Sequence, residues 1–169
     1  MKNIVLIGLP ASGKTTVGKL TAKELQRPFT DTDAEIEKMC GRSVAEIFAA
    51  DGEEAFRSRE RELLLQLAEE TGRVISTGGG AVLHPDAMRA LKKTSLVFYL
   101  DRPLKEIQKD MGGVERPLLR GSAEKLRELY RSRDRLYRRA ADYVLSGGSI
   151  GELTETVTLF AELVTEEQT

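Results

Sequence analysis

Gly8-Leu9-Pro10-Ala11-Ser12-Gly13-Lys14-Thr15 is the stretch that decides the fold. It matches the spacing G-x-x-x-x-G-K-[ST] and lies between a short apolar run, residues 3–8, and a segment with apolar residues near helical spacing, residues 14–26. Strand, glycine-bounded loop and helix in that order make a phosphate cradle. The loop exposes successive backbone N–H groups, and the helix behind it points its first amides and the positive end of its dipole at the same anion. Lys14 can reach the β- and γ-phosphates of a nucleoside triphosphate, and the Thr15 hydroxyl can ligate a Mg2+ ion bridging them. Ala11, Ser12, Gly13, Lys14, Thr15 and Thr16 are therefore the expected nucleotide-binding residues. The motif specifies a nucleoside triphosphate and magnesium and leaves the phosphoryl acceptor open; a purine nucleotide, ATP first, is the expected ligand.

Downstream of this unit, strand-like and helix-like segments alternate. Residues 29–33, 73–77, 95–100 and 142–145 read as strands. Residues 34–40, 53–71, 85–93, 104–109, 123–139 and 152–164 read as helices, and Ser43 with Glu46 forms a capping-box pattern ahead of another. Residues 111–121 carry glycines, a proline and charges, and read as a loop. Alternation of this kind predicts an α/β fold with a mostly parallel sheet. The 169 residues fit one domain, and no repeat or linker divides them. Strand order cannot be read from the pattern.

Composition narrows the function. A net charge of −1 leaves no global basic field to gather nucleic acid. One cysteine, Cys40, excludes an internal disulfide and a cysteine metal site. The longest apolar runs, such as residues 4–7 and 96–100, are far short of a membrane span, so a cytoplasmic protein with no membrane partner is expected.

Asp31 and Asp33 close the second expected strand. In an open parallel sheet the carboxyl ends of strands face the ligand crevice. Residues two apart on a strand share a face, so both carboxylates are expected to face the phosphates. One would hold the magnesium shell through water and the other would accept a proton from an acceptor hydroxyl. The bland alternative is a solvated turn with an aspartate as helix N-cap.

Further segments follow in order: Phe56-Arg57 with Glu60, Ser76-Thr77-Gly78-Gly79-Gly80, Arg116-Pro117-Leu118-Leu119, and Arg133 with Leu136-Tyr137. Together with the loop and the Asp31-Thr32-Asp33 triplet, the set resembles the shikimate kinase family from about residue 3 to about residue 143. The resemblance implies ATP-dependent phosphorylation of the 3-hydroxyl of shikimate, in aromatic amino-acid biosynthesis, by a monomer. It implies a P-loop three-layer αβα fold of the nucleoside-monophosphate-kinase type, with a five-stranded parallel sheet, a helical substrate-binding region and a lid near residues 111–121. Carried over by position, Lys14, Asp33 and Arg116 are the catalytic set, with Asp33 the base and Arg116 the lid arginine at the transferring phosphate. Thr15 and Asp31 serve the magnesium. Asp33, Arg57, Gly78, Gly79, Gly80 and Arg133 bind shikimate, the two arginines on its carboxylate. The chemistry is consistent, because a guanidinium pairs with a carboxylate through parallel hydrogen bonds and glycines admit close backbone approach.

Three positions depart from the family pattern. Ala11 stands where glycine is usual, which is tolerable at negative φ and costly at positive φ. Lys109 stands where an arginine usually lies beside adenine. Arg135 replaces a frequent proline, which leaves Arg131 and Arg135 as rivals to Arg133. His84 is expected at the surface, Cys40 partly buried, and Glu54 and Glu60 as partners of nearby arginines. Another small-metabolite kinase, such as a gluconate kinase, is the alternative among enzymes, and a nucleotide-binding regulatory module the alternative outside them.

Overall fold

The computed structural model describes residues 1–111 and 122–166. Strand β1 (Asn3–Ile7) is followed by α1 (Lys14–Glu24), β2 (Phe29–Asp31), α2 (Thr32–Cys40), α3 (Val44–Asp51), α4 (Glu53–Ala68) and β3 (Val74–Ser76). A 3-10 turn, Ala81–Leu83, then leads to α5 (Pro85–Thr94), β4 (Ser95–Asp101), α6 (Leu104–Met111), α7 (Ser122–Ala140), β5 (Tyr143–Ser146) and α8 (Ile150–Glu166). The five strands form one parallel sheet in the order β2-β3-β1-β4-β5.

Every residue of β1 is buried, as a parallel strand covered on both faces requires. Alternation sorts its side chains into two cores. Val5 and Ile7 join Ile75, Val97 and Tyr99 under α4 and α5, where Leu64 and Leu91 are fully buried. Ile4 and Leu6 join Val74, Leu96 and Phe98 on the opposite face, under Val17 of α1 and Val157 of α8. The capping box at Ser43 and Glu46 is present, with both reciprocal hydrogen bonds.

The second strand ends earlier than its sequence suggests. Asp31 is the last residue of β2 and also the N-cap of α2, accepting from the backbone N–H groups of Asp33 (3.1 Å) and Ala34 (3.2 Å). Asp33 thus lies in the first turn of a helix, and strand alternation does not relate the two carboxylates. Here the side-chain cap outcompetes continuation of the strand, as aspartate favours when it precedes a helix-forming run.

Helix α7 is tied to the sheet by aromatic stacking. Tyr137 lies on Tyr99 of β4 with ring centroids 4.9 Å apart, and the Tyr99 hydroxyl donates to Asp134 at 3.0 Å. This fixes the rotation of α7: Tyr137 is buried, Arg133 half-buried, and Arg131 and Arg135 exposed.

In the turn after β1, Gly13 has φ +95° and serves as N-cap of α1. Ala11 has φ +59°, the left-handed region that a Cβ disfavours. The departure at Ala11 is therefore the costly one. Ala11→Gly is expected to raise the thermal midpoint by about 2–4 °C, the equivalent of about 1 kcal/mol in a domain of this size. Calorimetry of the two proteins checks this, and an unchanged or lower midpoint contradicts it.

Candidate active site

The site opens at the carboxyl ends of β1, β2 and β3. Lys14 is 7% exposed, and its ammonium donates to the carbonyls of Gly8 (2.9 Å) and Leu9 (2.6 Å), with Ser12 Oγ at 3.4 Å. Burial pulls its pKa down to about 8, against the opposing charges of Asp33 and Asp31, and the positive charge of Arg133 lowers it further. Arg133 is thus within electrostatic reach of the P-loop lysine. A cleft of about 340 Å³ runs over residues 11–16 and is walled by Arg102, Asp110 and Ile150. Ser12 is fully buried beneath that cleft, with its Oγ beside the Lys14 ammonium.

Thr15 Oγ1 donates to Asp31 Oδ2 at 2.6 Å, and Ser76 Oγ lies 3.4 Å from the same hydroxyl. The two residues expected at the magnesium are in direct contact. One hydroxyl and one carboxylate fit a Mg2+ that takes its other ligands from phosphates and water, the usual preference of that ion. Among the described residues no group of three or more acidic, histidine or cysteine side chains converges as a protein-only metal cage would require.

Asp33 and Glu60 meet around Gly78. A Cβ on Gly78 would stand 2.5 Å from Asp33 Oδ1 and 2.9 Å from Glu60 Oε1. Both of these oxygens are buried and have no hydrogen-bond partner among the described residues. Burial, with the negative charges of Glu60 and Asp31, pushes the Asp33 pKa up to about 6. Glu60 Oε2 accepts from Arg57 (2.8 Å) and lies 2.9 Å from His84 Nε2. His84 is accordingly 11% exposed and packed at the site, in contrast to the surface position expected of it. Its contact crosses from the start of α5 to α4, a tertiary pairing with no local signature in the sequence.

The remaining glycines hold the arginines. A Cβ on Gly80 would stand 1.9 Å from Arg57 Nη1, so the guanidinium lies flush on that backbone. Glu53 flanks Arg57 at 3.3 Å, and the rings of Phe56 and Phe48 lie 5.4 and 5.9 Å from its centre. Arg133 lies beside the Tyr137 hydroxyl, which donates to the Gly79 carbonyl at 2.6 Å. Tyr137 is thus a site residue. The sequence marks it only as part of a motif, and its hydroxyl contact exists because α7 crosses the 78–80 loop.

The structure brings together Lys14, Thr15, Asp31, Asp33, Arg57, Gly78, Gly79, Gly80 and Arg133. The rotation of α7 turns Arg133 toward Lys14 and leaves Arg131 and Arg135 exposed. Arg116 and the expected lid, apart from Met111, lie outside the described residues. Ser76 and Tyr137 carry no role in the motifs that contain them, and Arg102 belongs to none of those motifs.

The sequence model of the family described as "Shikimate kinase" matches residues 10–161. A shikimate kinase of Symbiobacterium thermophilum is 47% identical over 144 residues, covering 82% of this chain and 83% of its own. One from Francisella philomiragia is 39% identical over 165 residues, covering 94% of each chain. A solved structure of shikimate kinase from Acinetobacter baumannii in complex with shikimate superposes with a TM-score of 0.85 at 36% identity, over 99% of this chain and 94% of that one. The family match takes in residues 11–16 of the cradle, the paired carboxylates and both arginines just described, and the chain belongs to the shikimate kinase family.

Proposed function

We propose that this chain transfers the γ-phosphoryl group of ATP to the 3-hydroxyl of shikimate, giving shikimate 3-phosphate and ADP, within one domain of residues 1–169. The observation that carries the residue-level reading is the grouping of one raised carboxyl, Asp33, between the P-loop lysine and two arginines. Shikimate is a small cyclic polyol with one carboxylate. Arg57, laid against Gly80, and Arg133, beside Tyr137, clamp the carboxylate. The Gly78–Gly80 backbone closes on the ring. The hydroxyls then lie toward Asp33.

Phosphoryl transfer depends chiefly on positioning and charge stabilisation. The amides of residues 11–16 and the Lys14 ammonium hold the phosphates, and phosphate oxygens at the loop draw the lysine off the Gly8 and Leu9 carbonyls and keep it protonated. Thr15 would ligate Mg2+ directly and Asp31 through water; that ion, when bound, neutralises charge on the β- and γ-oxygens. The shikimate O3 forms its bond to the γ-phosphorus as the bond to the ADP oxygen breaks, and the O3 proton passes to Asp33. A group that titrates near 6 is ionised at neutral pH and still basic enough for that step. Arg116, which lies outside the described residues, would by family resemblance add charge stabilisation at the transferring phosphate. We place the enzyme in the cytoplasm as a monomer; among the described residues no helix is long and apolar enough to cross a membrane.

A coupled ADP-release assay with shikimate, gluconate and AMP tests the activity: shikimate-dependent turnover in Mg-ATP is expected, and turnover with another acceptor alone overturns the reading. Asp33→Asn should lower kcat by at least about 100-fold while the ADP dissociation constant stays within about twofold. Near-normal turnover would remove Asp33 as the base. Arg57→Ala should raise the shikimate KM more than it lowers kcat, and an unchanged KM would contradict the clamp.

The raised Asp33 pKa also has a stability consequence. Between the unfolded value of 3.8 and the folded value near 6, the folded chain holds a proton that the unfolded chain has released. Stability therefore falls as pH rises through that window, and the penalty is complete above it. In magnesium-free buffer Asp33→Asn should melt a few degrees above the parent at pH 8, with the gap closing by pH 4. Thermal scans across that range check the sign.

A further inference from the structure

Arg102 follows β4 directly and is 9% exposed, an unusual state for an arginine. Its Nη1 is 2.8 Å from Asp110 Oδ2 and its Nη2 3.6 Å from Glu106 Oε2, both on α6. Its Nε is buried and has no hydrogen-bond partner among the described residues, so protein groups do not use up the guanidinium. Nη1 also lies 3.9 Å from the point where a Cβ on Gly13 would stand. The side chain is thus fixed beside the P-loop and neutralised along two of its edges.

Its position is shared between two clefts. One is the cleft over residues 11–16 and Ile150. The other, of about 440 Å³, is lined by Arg102, Glu106, Lys109, Asp110, Gly148 and Ser149. A nucleotide whose phosphates lie on the P-loop amides has to extend its nucleoside past Arg102 toward the second cleft. Its two Nη groups face carboxylates and its Nε is buried away from solvent, so a planar face is what the guanidinium can offer a ligand there. A planar cation against the face of a purine is favourable, and an ammonium such as that of Lys109 cannot reproduce it. We propose that Arg102 stacks on the base of the bound nucleotide, supplying the planar cation that Lys109 does not, with Asp110 and Glu106 holding its plane. The proposal rests on the P-loop being the nucleotide site.

Calorimetric titration of the full chain with Mg-ADP and with inorganic tripolyphosphate tests it. Arg102→Ala should weaken ADP about tenfold and leave tripolyphosphate within about twofold. Retained tripolyphosphate binding also shows that the variant is folded. Arg102→Lys should lose ADP affinity to the same degree, because it restores charge without the plane. Equal weakening of both ligands, unchanged ADP affinity in Arg102→Ala, or full recovery in Arg102→Lys each overturns the proposal. In a parallel titration Lys14→Ala should lose both ligands; retention of both would overturn the P-loop reading itself rather than the role of Arg102.

Discussion

Strand β1 is buried on both faces and hydrogen-bonded along both edges, to β3 and β4, and this constraint places everything else in the site. A strand so enclosed can deliver a loop only from its carboxyl end. The P-loop leaves there, and α1 has to turn back across one face to bury Val17 against Ile4 and Leu6. Strands β2 and β3 run parallel to β1, so Asp31 and Ser76 arrive at the same edge as Thr15. The sheet is the reason that a hydroxyl and a carboxylate 16 residues apart meet at 2.6 Å.

Asp31 shows how little of the site is free to move. One oxygen caps α2 and the other accepts from Thr15. The nucleotide-side helix and the helix that carries Asp33 are thereby joined through one carboxylate. On the far side, the 78–80 loop is threaded between charged groups: Asp33 and Glu60 beside Gly78, and Arg57 on Gly80. Side chains at Gly78 and Gly80 would displace carboxylates and a guanidinium that are already ordered, and one at Gly79 would press on Pro10.

The cost of this arrangement is concentrated at a few points. Lys14 and Asp33 are both held away from their ordinary protonation equilibria, chiefly by burial. Ala11 keeps a left-handed backbone. Strain and desolvation collect where a site must bind charge out of water, and the two hydrophobic cores on either face of the sheet offset them.

The sequence by itself determined the phosphate cradle, the α/β alternation, the capping box and the identity of most groups at the site. These are local patterns: a loop with fixed glycine spacing, apolar periodicity, a cap three residues from its partner. Tertiary structure decided the rest. Strand order and the meeting of Thr15 with Asp31 depend on which strands pair. The half-buried position of Arg133, beside exposed Arg131 and Arg135, depends on Tyr137 stacking on Tyr99, a contact between residues 38 positions apart that sets the rotation of α7. His84 on Glu60 and Arg102 beside Gly13 are likewise cross-element contacts. Even the opening loop was only half legible. Its spacing announces a triphosphate site, but whether Ala11 is harmless depended on a backbone angle, φ +59°, that the fold of the turn imposes.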